Sequence, residues 1–206
     1  MRAMRGITLF VRFLVVLASA AAINARAGEI EVYDANLRAT DEGVVLNAEF
    51  RFKFPAPLAE AVINGVPLYF VFEFDLSRPR WYWFNEHPAS KQMQVKLSYH
   101  ALSRHYRLST GLLQQNFATL DEALEVLRRL QNWLVVDRTV SLADATYEAA
   151  VRMRLDTTLL PKPFQVSALT NRDWQLESDW KTFTFRPPQQ PPAPVESRNP
   201  RESPGQ

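Results

Sequence analysis

"VLNAEFRFKF", residues 45–54, alternates apolar and polar side chains along its length. Leu46, Ala48, Phe50, Phe52 and Phe54 share one face of an extended chain, and Asn47, Glu49, Arg51 and Lys53 share the other. A repeat of two residues predicts a half-buried antiparallel strand. Upstream, "GEIEVYDANLRAT" reads as its partner strand, with Asp41-Glu42-Gly43 as the turn between them. Downstream, "LYFVFEFDL", residues 68–76, repeats the pattern with Leu68, Phe70, Phe72, Phe74 and Leu76. "TYEAAVRMRLD", residues 146–156, does so with Tyr147, Ala149, Val151, Met153 and Leu155.

"YHALSRHYR", residues 99–107, is nearly palindromic and predicts a hairpin. A turn centred on Leu102–Ser103 pairs Tyr99 with Tyr106, Leu97 with Leu108 and Val95 with Thr110 on an apolar face. Lys96 then meets Ser109, Ser98 meets Arg107 and His100 meets His105 on the polar face. Leu-Ser lacks the Asn-Gly chemistry of a tight two-residue turn, so a longer loop is the alternative. His87 is the only other histidine and the chain has no cysteine, so His100 and His105 read as a surface pair rather than as metal ligands.

Two segments break the two-residue period. "APLAEAVINGV" predicts a short helix over about 57–64 that stops at Asn64-Gly65. In "ATLDEALEVLRRLQNWLV", Thr119 and Glu122 form a capping box, and Leu120, Leu124, Leu127 and Leu130 recur at helical spacing. The spacing predicts one amphipathic helix over about 120–132, its leucine face covering an open end or face of the sheets. Strand following strand argues against alternating βαβ units. The strands also offer more apolar faces than one helix can cover. The expected fold is therefore mainly β, an antiparallel β-sandwich with these two helices; a single sheet with one helix-covered face is the alternative.

The ends differ in kind from this middle. Arg2, Arg5 and Arg12 precede the apolar run "FLVVLASAAAI", and Ala25-Arg26-Ala27 follows it. Residues 1–27 therefore read as a cleavable signal peptide directing the chain to the periplasm. An uncleaved inner-membrane anchor is the alternative. Removing Arg2, Arg5, Arg12 and Arg26 from the 24 basic residues leaves 20 against 22 acidic ones. The basic balance of the whole chain thus sits in its leader, and no basic run points to nucleic acid. Export to an oxidising compartment without cysteine leaves stability to the core alone. Residues 28–186 suffice for one β-rich domain. Residues 187–206 hold seven of the fourteen prolines and few large apolar residues, which predicts a disordered or polyproline-II tail.

Candidate surfaces are few. "RPRWYWFNEH", residues 78–87, is dense in aromatics, and Trp81 and Trp83 suit either a core strand or a binding groove. Pro161-Lys162-Pro163 fits an edge strand or a loop entering one, either shielding that edge or presenting it to a partner. "DWQLESDWKTFTF" reads as the last strand, bent near Ser178-Asp179, with Trp174 and Trp180 in the core. Trp81, Trp83, His100, His105, Pro161, Lys162 and Pro163 are the candidate partner or ligand surface. No phosphate loop, Gly-x-Ser-x-Gly elbow or His-Glu-x-x-His motif occurs, so no catalytic, cofactor-binding or metal residue is assigned. Glu73, Asp75 and Asp156 lie on expected strands, where solvation explains them as well as a paired-carboxylate role does.

Taken together, "YWF", "LSYHALSRHYRLSTG", "LDEAL" and "LPKPFQV…DWQLESDW" resemble DUF family 4390, a set of uncharacterised exported proteobacterial proteins. The resemblance covers about residues 29–186. It implies an exported protein without assigned activity, a polar residue such as Gln where His105 stands here, and a gene often encoded beside that of a sensor kinase of the nitrogen-regulation type, which suggests envelope signalling by that neighbourhood alone. The expected function is a non-enzymatic envelope interaction module with a protein partner such as a sensor kinase, or with peripheral membrane contact. The alternative is a carrier for an apolar envelope ligand.

Overall fold

The computed structural model describes residues 30–79 and 86–188. Its strands are β1 (Glu31–Thr40), β2 (Gly43–Arg51), β3 (Leu68–Arg78), β4 (Glu86–His100), β5 (His105–Thr110), β6 (Leu113–Phe117), β7 (Arg129–Asp137), β8 (Tyr147–Leu155) and β9 (Lys181–Phe185). Its helices are α1 (Ala56–Ile63), α2 (Leu120–Leu127) and α3 (Lys162–Thr170). Two antiparallel sheets face each other, one ordered β1-β2-β7 and the other β6-β5-β4-β3-β8-β9. This is the mainly-β antiparallel sandwich expected from the two-residue periods.

The inner face of β3 is the centre of the core. Leu68, Phe70, Phe72, Phe74 and Leu76 are each at most 2% exposed. Leu46, Ala48 and Phe50 of β2 face them from the smaller sheet, and the Phe50 and Phe72 rings meet edge-on at 5.3 Å between centroids. Burying a phenylalanine in this way contributes about 1.5–3 kcal/mol. Across the same gap Lys91 of β4 reaches Asp137 of β7, Nζ to Oδ2 at 2.6 Å.

The hairpin register is as expected, from Lys96 opposite Ser109 to His100 opposite His105. The loop is the longer form, residues 101–104, and Arg104 closes it with φ at +53°. α1 starts after Pro55 and ends where Gly65, at φ +88°, turns the chain away. At α2, Thr119 Oγ1 accepts from Glu122 N at 3.2 Å, and the Glu122 carboxylate accepts from Ala118 N at 3.1 Å. That is the expected capping box, with the return bond made one residue before the cap.

Four expectations are corrected. The helix expected over 120–132 stops at Leu127, and residues 129–137 pair with β2 instead. Leu130 is buried in either conformation, so helical spacing could not tell them apart. The edge of β2 and the β-favouring Trp133, Val135 and Val136 decide for the strand. Pro161-Lys162-Pro163 guards no strand edge, because it opens α3. A proline in the first helical turn lacks only an N–H that would have no partner there. Trp174 is buried, but Trp180 is 43% exposed. It precedes the short β9 and lies over Arg152 on the outer face, its ring 4.6 Å from the guanidinium carbon. Glu73 is not a solvated carboxylate: it is 5% exposed and paired with Arg152 and Arg154.

The two long sides of the sandwich are finished differently. On the side of β1, β8 and β9, Ile30 N donates to Glu177 O at 2.9 Å, Leu155 N to Leu176 O at 2.7 Å and Ser178 N to Met153 O at 2.9 Å. Leu160, Ala168, Trp174 and Leu176 are buried there. On the other side, β6 and β7 end their sheets, and among the described residues no strand pairs beyond either.

Candidate binding site

A cleft of about 770 Å³ lies between the sheets on that open side. Its floor is the inner face of the larger sheet, with Phe72, Met93, Val95 and Leu108. Its far wall is Leu127 of α2 with Leu130, Trp133 and Leu134 of β7. Gln114, Gln115, Glu125, Arg129, Gln131 and Asn132 also line it and supply its polar groups.

A bulge in β7 shapes the far wall. Ala48 and Leu46 of β2 are two residues apart, but their partners Leu130 and Trp133 are three apart. The extra residue is absorbed at Asn132, whose φ of +53° lies in the left-handed region that asparagine tolerates better than most side chains. Asn132 N donates to Asn47 Oδ1 at 2.9 Å, and its own Oδ1 accepts from Arg38 Nη2 at 2.9 Å. The bulge thereby returns Trp133 to the inner side, where its ring meets Phe74 edge-on at 6.5 Å.

β6 forms the near wall. Its register opposite β5 puts Leu113 beside Thr110, Gln115 beside Leu108 and Phe117 beside Tyr106. Leu108 points inward, so these three share the cleft side of the sheet. Leu112 and Leu113, at the turn into β6, are 100% and 76% exposed. At the end of this wall Tyr106 lies 4.9 Å from Tyr99 between ring centroids. Burial raises the Tyr106 pKa, and the nearby Tyr99 and Asp121 raise it further.

An apolar floor, amide groups along the walls and two strand edges can hold an elongated apolar ligand or an extended chain. Among the described residues, no group of three or more His, Asp or Glu is placed to hold a metal ion.

The residues singled out in the sequence do not converge on this cleft. His100 and His105 are exposed at the tip of the β4–β5 hairpin. His100 Nδ1 bonds Ser103 Oγ at 3.1 Å, and His105 Nδ1 bonds the Ser103 carbonyl. Pro161, Lys162 and Pro163 begin α3. Trp81 and Trp83, between β3 and β4 in the chain, lie outside the described residues. The sequence reading missed Met93, Leu108 and Trp133 as a site. The available signal was the exposed pair Leu112-Leu113 beside a short, amide-rich strand.

A family model described as "Domain of unknown function (DUF4390)" matches residues 27–184. No curated protein and no solved structure matches the chain.

Proposed function

The chain belongs to the DUF4390 family, whose description assigns no activity, and from that premise we propose that it is a non-enzymatic interaction module of the periplasm. In this reading it receives an extended segment of a protein partner, such as a membrane sensor kinase, on the open side of its sandwich. The observation that carries the proposal is the apolar-floored cleft flanked by β6 and β7, beyond which no strand pairs among the described residues. An extended peptide adds main-chain hydrogen bonds at a sheet edge and sends alternate side chains into the neighbouring pocket. Phe72, Leu108 and Trp133 line the cleft beside those edges. The leader-like residues 1–27 support export.

Selection of a random 12-residue peptide library on the purified protein tests this. The expected result is enrichment of peptides with alternating apolar residues, whose affinity falls about tenfold or more in Trp133→Ala. Failure to enrich such peptides, or binding indifferent to Trp133→Ala, rejects it.

A second reading, a carrier for an apolar envelope ligand, is favoured by the size of the cleft. About 770 Å³ lies within the range of small-molecule sites. Native mass spectrometry separates the two readings. A stoichiometric co-purifying lipid that is lost in Trp133→Arg supports the carrier, and protein recovered without one supports the peptide module.

A further inference from the structure

The opposite face of the larger sheet carries a second concavity that the reading above does not use. It is a dent of about 390 Å³ on the outer surface, over β4, β3, β8 and the start of β9. Two rows of side chains cross the strands there. Gln92, Glu73 and Arg152 stand in register in one row, and Ser90, Asp75, Ala150 and Thr182 in the next. The second row is short where the first is long, and this difference makes the dent. Trp180 stands at its edge beside Arg152.

The first row is rigid. Glu73 accepts from Arg152 Nε, from Arg154 Nε at 3.1 Å and from Gln92 Nε2 at 3.3 Å. A carboxylate on a side chain only 7% exposed is expensive on the outer face of a sheet unless it is fully paired, and this one is. Arg152 stacks on Trp180 while it bonds Glu73, so the network also fixes the indole plane. Trp180 is 43% exposed, so much of the indole stays in reach of solvent. In the second row Asp75 is oriented by His87 Nδ1 at 2.9 Å, and Ser90 and Thr182 add exposed hydroxyls.

The charge balance narrows the ligand. Arg152 and Arg154 share Glu73, and Asp156 lies 4.0 Å from Arg154. Lys91 at the dent is held by Asp137, and Asp75 adds a further negative charge paired with His87. No positive excess is left for a phosphate or sulfate. What remains is an aromatic plate beside fixed planar groups with donors and acceptors at their edges. A sugar ring is complementary to that arrangement. Its faces carry C–H groups, which the negative face of an aromatic ring attracts, and its rim carries hydroxyls that both donate and accept.

We propose that this outer face binds a neutral, hydroxyl-rich oligosaccharide, with Trp180 as the stacking plate and Gln92, Asp75 and Arg152 as its hydrogen-bonding edge. Isothermal titration calorimetry of the full-length protein with two probes tests this: the tetramer of N-acetylglucosamine and cellotetraose. Binding of either probe is expected, weakened about tenfold or more in Trp180→Ala, partly restored in Trp180→Phe, and weakened less in Gln92→Ala. Which probe binds tells whether the N-acetyl group is read. The exposed position of Trp180 makes the substitution tolerable, and an unchanged circular dichroism spectrum checks this. Absence of binding by both probes overturns the proposal, as does binding that Trp180→Ala leaves unchanged. Trp133→Ala, on the other side of the sheet, is expected to leave oligosaccharide binding intact, so failure of the cleft reading and failure of this one are distinguishable.

Discussion

The two long sides of this sandwich solve one problem in opposite ways. A sheet edge carries unpaired N–H and C=O groups that need a partner or water. On the β1–β8–β9 side, residues 172–178 run across the gap and satisfy edge groups of Ile30, Met153 and Leu155 with backbone bonds. Leu160, Trp174 and Leu176 fill the space beneath. On the β6–β7 side the described residues do neither. The chain places one two-turn helix at the mouth and leaves Leu112 and Leu113 in solvent. The same sequence thus buries apolar side chains under a strap on one side and exposes them beside a cleft on the other. The closed side marks where stability resides, and the open side marks where binding can occur.

The largest expected effect tests this contrast directly. Leu176→Ala should cost about 2–5 kcal/mol, since its side chain is 1% exposed and its cavity cannot fill without moving the strap. Leu113→Ala should stay within about 0.5 kcal/mol, because most of that side chain is already in water. Urea denaturation of both variants checks the pair. Equal losses would break the comparison, for they would mean that the β6 side is packed in solution.

A smaller effect is expected at the helix in the mouth of the cleft. Thr119→Ala removes the acceptor for Glu122 N and should cost about 1 kcal/mol, with Thr119→Ser restoring most of it. Amide hydrogen exchange sharpens the result. Faster exchange confined to α2 and its β5–β7 neighbours would show that the open side loosens by itself. Faster exchange across all strands would join the two sides into one cooperative unit.

The same contrast explains what could be read from the sequence. The inward residues of β2, β3 and β8 were legible because a two-residue period has only one way to bury its phenylalanines. The β4–β5 register was legible because the apolar and polar pairs all agree on it. The strap was not. "DWQLESD" has no period, and its path follows from the edge it covers, a long-range condition no local window contains. The junction at Leu127–Arg129 failed for another reason: Leu130 satisfies the helical and the strand pattern alike, and only the unpaired edge of β2 chooses. The pairing of Glu73 was not legible because its partners Arg152 and Arg154 reach it from another strand, distant in the chain. The cleft itself is an absence of packing, and periodicity reports only its presence.

The smallest expected effect is a pH dependence that belongs to the open side. Tyr106 joins β5 to the first turn of α2, and its pKa is raised by burial, then by Tyr99 and by Asp121. A raised phenol pKa means that the folded protein holds the proton more tightly than the unfolded chain does. Below the ordinary value of 10.0 both states are protonated and the contribution is fully present. As pH rises past that value the unfolded chain ionises first, and the contribution is lost as the pH passes through the folded pKa. Wild-type stability should therefore fall more steeply above about pH 10 than that of Tyr106→Phe, with the two curves nearly parallel below it. Asp121→Asn should flatten the fall only partly, since burial is the larger cause. Urea midpoints across that range check the slopes. If Tyr106→Phe leaves the alkaline slope unchanged, the β5–α2 contact is not formed in the folded ensemble, and the open side is wider than the cleft seen here.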